Sequence, residues 1–281
     1  MASPLPPSVT ASSPPDPGLV EAAILRLRAE QEASDSATNR AILTHEIGVL
    51  EESVGNEADA ARDQLAAVNE EPEFREPLER LVVIIERRRS HKNLGKLLER
   101  LVRVADGPEE RSRALTLSAA CAADHGDDLD AARVMLEEAV DARPDDAVAW
   151  YALEVLAGRL GDADLRARAL GARAERCQHA GWRALLLIDR ADLLLAAGQL
   201  EAALATLDEA VGCKGEATFF ALGATAEAGR RAEREDIVAR ALDAQAQLVL
   251  RSVAESSVGD ALGVPKRSAT PRPPRHLRAA S

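Results

Sequence analysis

Residues 184–215 read ALLLIDRADLLLAAGQLEAALATLDEAVGCKG. Small residues recur along this stretch at Ala191, Gly198, Ala203, Ala210 and Gly215, in steps of seven, five, seven and five. That spacing predicts two helices joined by a tight turn at Gly198, a helix–turn–helix unit of about 34 residues. Most of the remaining chain can be laid out as variations on it.

The closest variation runs from Ala41 to Pro72. Gly48, Gly55, Ala60, Ala67 and Pro72 repeat the same steps. Gly48 and Ala60 are expected where the two helices cross, because only a small side chain lets them approach closely. Gly55 is expected in the turn, where a residue without Cβ can take positive φ. Ala67 is expected to face the next unit, and Pro72 to end the second helix.

A second unit spans about Arg75 to Asp106, with stripes Leu78, Leu81, Val82, Ile85 and Leu94, Leu98, Leu101. Its turn carries Arg87, Arg88, Arg89, His91 and Lys92. The plain reading of that cluster is a solvated loop, and the sharper one is an anion or acidic-partner contact. A third unit runs from about Arg113 to Pro144, with Gly126 marking a turn one residue longer. His125 beside Asp124, Asp127 and Asp128 reads better as a helix end followed by a capped helix start than as a metal site. The fourth unit begins near Ala147, with Trp150, Leu153 and Ala157 facing inward and a turn at Gly161. The fifth is the stretch quoted above, entered through Gly181 and Trp182. The sixth starts near Glu216, with Phe219, Leu222 and Gly223 in its first helix and a second helix over 232–250. Gly126, Gly161 and Gly198 lie 35 and 37 residues apart, as a two-helix repeat requires.

Composition agrees. The 281 residues are 46% hydrophobic but only 2% aromatic, so the apolar total is mostly Ala and Leu, which favours an all-α fold. Few aromatics disfavour base-stacking nucleic-acid modules. A net charge of −12 spread along the helices disfavours nucleic acid and anionic lipid as partners. Cys121, Cys177 and Cys213 are far apart in sequence and suit a reducing cytoplasm. No apolar run reaches the length needed to span a bilayer.

Residues 1–18 are Pro- and Ser-rich and are expected to be a disordered leader, with Asp16 and Pro17 starting a helix that caps the array. The array is expected over 19–251. Residues 252–281 carry Lys266, Arg267, Arg272, Arg275 and Arg278 among prolines, and are expected to be a disordered basic tail. This tail is either a solvated end or a segment that docks on an SH3-like groove or an acidic surface.

The Gly48–Gly55–Ala60–Ala67–Pro72 series, the Ala191–Gly198–Ala203–Ala210 series, and Trp150 with Leu153 and Gly161 resemble the tetratricopeptide repeat over about 40–250. The Ala- and Arg-heavy usage is associated with bacterial proteins from GC-rich genomes. The resemblance implies a right-handed α-α superhelix, a solenoid of about six hairpins, acting as a scaffold. Its first helices would line a concave groove for a protein or peptide. Chaperone-binding members clamp a terminal carboxylate there with Lys, Arg and Asn. The corresponding positions here are mixed, among them His45, Glu79, Arg80, Tyr151, Arg159, Asp189, Asp192 and Phe220, with no repeated Asn and no paired Lys.

Arg80, Tyr151, Arg159, Asp189, Asp192 and Phe220 are the candidate partner-binding residues. Tyr151 and Phe220 would be aromatic anchors, and Asp189 and Asp192 would favour a basic ligand. An alternative is a regulatory or self-assembly array whose end helices stack on another copy or on an effector. An enzyme is not expected, since no phosphate loop, nucleophile elbow or zinc-helix motif occurs. Cys177 and His179 lie two positions apart on a helix, too far round to face each other. No cofactor and no metal are expected.

Overall fold

A computed structural model describes residues 16–261. The leader up to residue 15 and the tail from 262 lie outside the described residues. Among those described there are thirteen helices and no strand. A leading helix, α1 (Pro17–Glu32), precedes six hairpins. These are α2 (Ala37–Ser53) with α3 (Glu57–Glu70), α4 (Arg75–Arg87) with α5 (His91–Val104), and α6 (Pro108–His125) with α7 (Leu129–Ala142). Then come α8 (Ala147–Leu160) with α9 (Ala163–Arg176), α10 (Ala180–Ala196) with α11 (Leu200–Gly212), and α12 (Ala217–Arg231) with α13 (Glu235–Ala261). The chain forms two compact units that divide within α9, between Ala169 and Leu170.

The repeat is written most clearly in the backbone of the turns. One residue in each hairpin turn has positive φ: Gly55, Arg89, Asp127, Gly161, Gly198 and Glu233. These lie 34, 38, 34, 37 and 35 residues apart. Three are glycine, for which this conformation carries no Cβ penalty. In the third hairpin Gly126 does not supply it. Gly126 has φ −95° and ends α6, while the extra residue, Asp127, takes φ +51°.

In the first unit the core is a series of clusters shared by neighbouring hairpins. Val68 of α3, Leu78 and Val82 of α4, Leu94, Leu98 and Leu101 of α5, and Ala114 of α6 pack together. Leu115 and Ala119 of α6 pack with Leu136 and Ala139 of α7, Leu153 and Ala157 of α8, and Leu165 of α9. No hairpin of this unit closes its own apolar face, which is why neighbouring hairpins within it stack. The expected crossing is present: a Cβ on Gly48 would lie 3.3 Å from the Ala60 carbonyl oxygen. Ala60 and Ala67 are fully buried. In the second unit Ala191, Leu194, Ala203, Leu207 and Ala228 form one cluster, and Ala174, Ala184, Leu187, Ala210, Ala217 and Ala221 another.

Arginines stitch adjacent hairpins of the first unit. Arg28 of α1 reaches Asp63 of α3 at 3.4 Å. Glu52 of α2 receives both Arg80 (3.3 Å) and Arg87 of α4, and Arg87 also meets Glu57 at 2.9 Å. Arg75 pairs with Glu110, and Arg133 with Asp162 at 3.0 Å. Each exposed pair adds under about 1 kcal/mol, but together they fix how one hairpin meets the next.

The last helix runs to Ala261, ten residues past the expected end of the pattern at Arg251. Residues 252–261 contain no proline, and the first residue beyond them lacking an amide donor is Pro265.

Candidate partner-binding face

Helix α8 is held at both ends. Its N-terminus is capped by Asp146, whose Oδ1 accepts from Val148 N at 2.9 Å and Ala149 N at 3.2 Å. The other oxygen of Asp146 accepts from Ser112 Oγ of α6 at 2.9 Å, so the cap also ties α8 to the preceding hairpin. Trp150 donates from Nε1 to the Pro144 carbonyl at 2.8 Å. Leu153 and Ala157 are fully buried. At the other end Arg159 donates to Asp124 at 2.7 Å and to the Ala123 carbonyl at 2.8 Å. Gly161, at φ +70°, stops the helix.

Apart from Arg159 at its C-terminal end, the exposed side chains of this pinned helix are mostly apolar. Val148, Tyr151 and Val155 are 67%, 54% and 47% exposed. They sit at i, i+3 and i+7 and share one face. Leu117 of α6, which packs beside α8, is also exposed. Val83 of α4 is exposed as well, and it lines with Leu117 a cleft of about 160 Å³ between α4 and α6. Arg75, Glu79, Glu86, Glu110 and Arg113 rim that cleft. In this unit, three first helices in turn therefore present an apolar side chain to water.

The second unit offers a similar surface of its own. Trp182 and Leu185 of α10 and Phe219 and Phe220 of α12 are exposed large apolar residues. The two phenylalanine rings meet edge to face, with centroids 6.1 Å apart. Asp189 and Asp192 are exposed on α10.

The six residues singled out from sequence thus fall into different settings. Tyr151 and Phe220 are exposed aromatics. Asp189 and Asp192 are exposed carboxylates. Arg80 and Arg159 spend their guanidinium groups on acids of the preceding hairpin, Glu52 and Asp124. Arg87 of the basic turn does the same, while Arg89 is the left-handed turn residue and His91 stacks on His125, ring centroids 3.5 Å apart. Val148 and Val155 were not anticipated. Their signal was present, since AVAWYALEVLAGRL is apolar on more faces than burial requires, and a helix with one buried face must show the surplus.

The remaining motifs resolve locally. Asp128 caps α7, accepting from Ala131 N at 2.9 Å. His179 caps α10 through Nδ1, which accepts from Trp182 N at 3.2 Å. The Cys177 thiol lies 3.5 Å from the His179 carbonyl oxygen, so its hydrogen bond goes to the backbone and not the imidazole. Among the described residues no group of three or more His, Cys, Asp or Glu could hold a metal, and no helix is long and apolar enough to cross a membrane.

No protein-family model matches the chain, and no curated protein matches it. Solved structures are similar to it. YrrB, described as a TPR protein with an unusual peptide-binding site, is 16% identical with a TM-score of 0.48, covering 72% of this chain and 97% of that one. MamA is 17% identical with a TM-score of 0.47, covering 62% and 91%. A tetratricopeptide repeat protein from Parabacteroides merdae is 15% identical with a TM-score of 0.46, covering 82% and 87%. At these levels the likenesses assign neither partner nor site.

Proposed function

We propose that this protein is a non-enzymatic scaffold that binds a protein or peptide through the first-helix faces of its hairpins. The observation that carries the reading is the exposed stripe Val148, Tyr151 and Val155 on a helix fixed at both ends. A rigid apolar face loses little conformational freedom on binding. Buried aromatics dominate the energetics of such contacts. Tyr151 and Phe220 are the anchors, and the exposed Asp189 and Asp192 give a preference for a basic ligand. The test is affinity capture from the native cell, followed by titration of the captured partner. Replacing Tyr151 and Phe220 together by Ala should weaken it by more than about 2 kcal/mol. Binding that is indifferent to the double substitution removes the anchors. Binding indifferent to salt and to Asp189→Asn removes the basic ligand.

A second reading, self-association or docking on an effector through an end helix, also has an observation in its favour. Leu242, Val249, Leu250 and Val253 are exposed along α13. Sedimentation of the purified chain tests it, and a mass that stays monomeric at high concentration removes the self-association arm.

A further inference from the structure

A different surface of the first unit has the form of a receptor. Helices α3 and α5, the second helices of consecutive hairpins, leave between them a groove of about 850 Å³. Ala58, Ala61 and Leu65 line it from α3, and Leu97 from α5, while Leu81 and Ile85 of α4 reach its floor. Leu65 is 44% exposed, and the two alanines keep that wall low. The rim is basic: Arg62, Lys96, Arg100 and Arg103 face a single lining carboxylate, Glu99. Arg62 meets Asp59 at 2.8 Å, and Arg100 donates to the Val68 carbonyl at 3.1 Å. Lys96 and Arg103 are exposed. Arg100 and Arg103 also line an adjoining hollow with Pro72, Glu73 and Asp106. On a chain of net charge −12, this concentration of cations is a local reversal of sign.

We propose that this groove binds an acidic amphipathic helix of a partner protein, its apolar stripe on Leu65, Leu97 and Ile85 and its carboxylates toward Lys96 and Arg103. The spacing supports it. Asn93, Lys96, Leu97, Arg100 and Arg103 share one face of α5, so Leu97 is flanked by basic groups along this wall, a helix of 14 residues. That wall is about 21 Å long and matches a helical ligand of about 14 residues. Charge complementarity selects the acidic partner. The apolar floor, with no aromatic among the lining residues, favours a helix over a nucleic-acid strand, which needs stacking platforms.

The test uses the full chain and two labelled synthetic helices of about 14 residues. Both carry the same Leu stripe, one flanked by Glu and the other by Lys, and binding is read by fluorescence anisotropy. The Glu-flanked helix should bind, and the Lys-flanked one roughly tenfold or more weakly. The double variant Lys96→Glu/Arg103→Glu should reverse that preference. Leu65→Ser, at an exposed position that leaves folding intact, should weaken binding of the Glu-flanked helix. Raising salt from about 0.05 to 0.3 M should weaken it as well. Absence of binding, or equal binding of both helices, overturns the proposal. So does a preference unmoved by the double variant, equal competition by single-stranded nucleic acid, or dimerisation of the chain through these same residues. The groove shares no residue with the α8 face, so failure here leaves the function proposed above standing.

Discussion

Gly48→Ala separates packing from helix propensity by its sign. In the interior of an exposed helix, Gly to Ala stabilises by about 1 kcal/mol. Here the new Cβ would lie 2.5 Å from Gln64 Nε2 and 3.0 Å from its Cδ, with the Ala60 carbonyl oxygen at 3.3 Å behind. Gln64 is completely buried. Its amide is held at both ends: Oε1 lies 2.7 Å from His45 Nδ1, and Nε2 donates to the His45 carbonyl at 3.2 Å. Any escape breaks at least one of these bonds inside the hairpin, at about 1–3 kcal/mol per group left unsatisfied. The net expectation is a loss of about 1–3 kcal/mol despite the gain in propensity. In the background of Gln64→Ala the obstacle is gone, and Gly48→Ala should become neutral or stabilising. Urea unfolding of wild type, both single variants and the double variant closes the cycle, with a coupling of about 2 kcal/mol expected. A stabilising Gly48→Ala single variant, or additivity across the cycle, would refute the reasoning.

The turns give an opposed pair of substitutions. Gly198→Ala forces a Cβ into φ +75° with no neighbour within 4 Å, so backbone strain alone should cost about 1 kcal/mol, whereas Arg89→Gly relieves φ +52° and should gain a few tenths to about 1 kcal/mol; unfolding midpoints that shift in the same direction would contradict this. Burial holds the Asp63 carboxyl above its usual range, with Arg28 pulling the other way and Glu51 adding to the rise. The folded state therefore holds this proton more tightly than the unfolded chain, so its contribution is full below the unfolded pKa and lost as pH rises through the folded one. Asp63→Asn does not titrate, so its thermal midpoint minus that of the wild type should increase as pH rises through that window; a difference that stays constant or falls would count against it. Burial, then Asp124 and Glu86, raise the Cys121 thiol, so its alkylation at neutral pH should be slower than that of free cysteine, and an equal rate would remove the claim.

The six hairpins were legible because small residues at a fixed step leave a mark that no other helical arrangement requires. Gly48 with Ala60, and Ala191 with Ala203, sit where the spacing put them. The residue that takes positive φ in each turn was legible only where it is glycine, at Gly55, Gly161 and Gly198. In the second and sixth hairpins the same backbone conformation falls on Arg89 and Glu233, residues whose type gives no warning. The candidate face was half readable. Tyr151 and Phe220 stand out as rare aromatics, but whether an arginine on a first helix meets solvent or its neighbour depends on which acid lies about 28 to 35 residues away. Arg80 found Glu52 and Arg159 found Asp124. Asp146 was equally hidden, because one carboxylate both caps α8 and receives Ser112.

If exposed first-helix faces are where a partner docks, site-specific photo-crosslinking in the native cell will show it. A photoreactive side chain would replace Leu117, Tyr151 or Phe220 in turn, with Val134, exposed on the second helix α7, as the control position. The account predicts that the same partner is captured from the first-helix positions and not from position 134. Capture from position 134 with none from 117, 151 or 220 would contradict it.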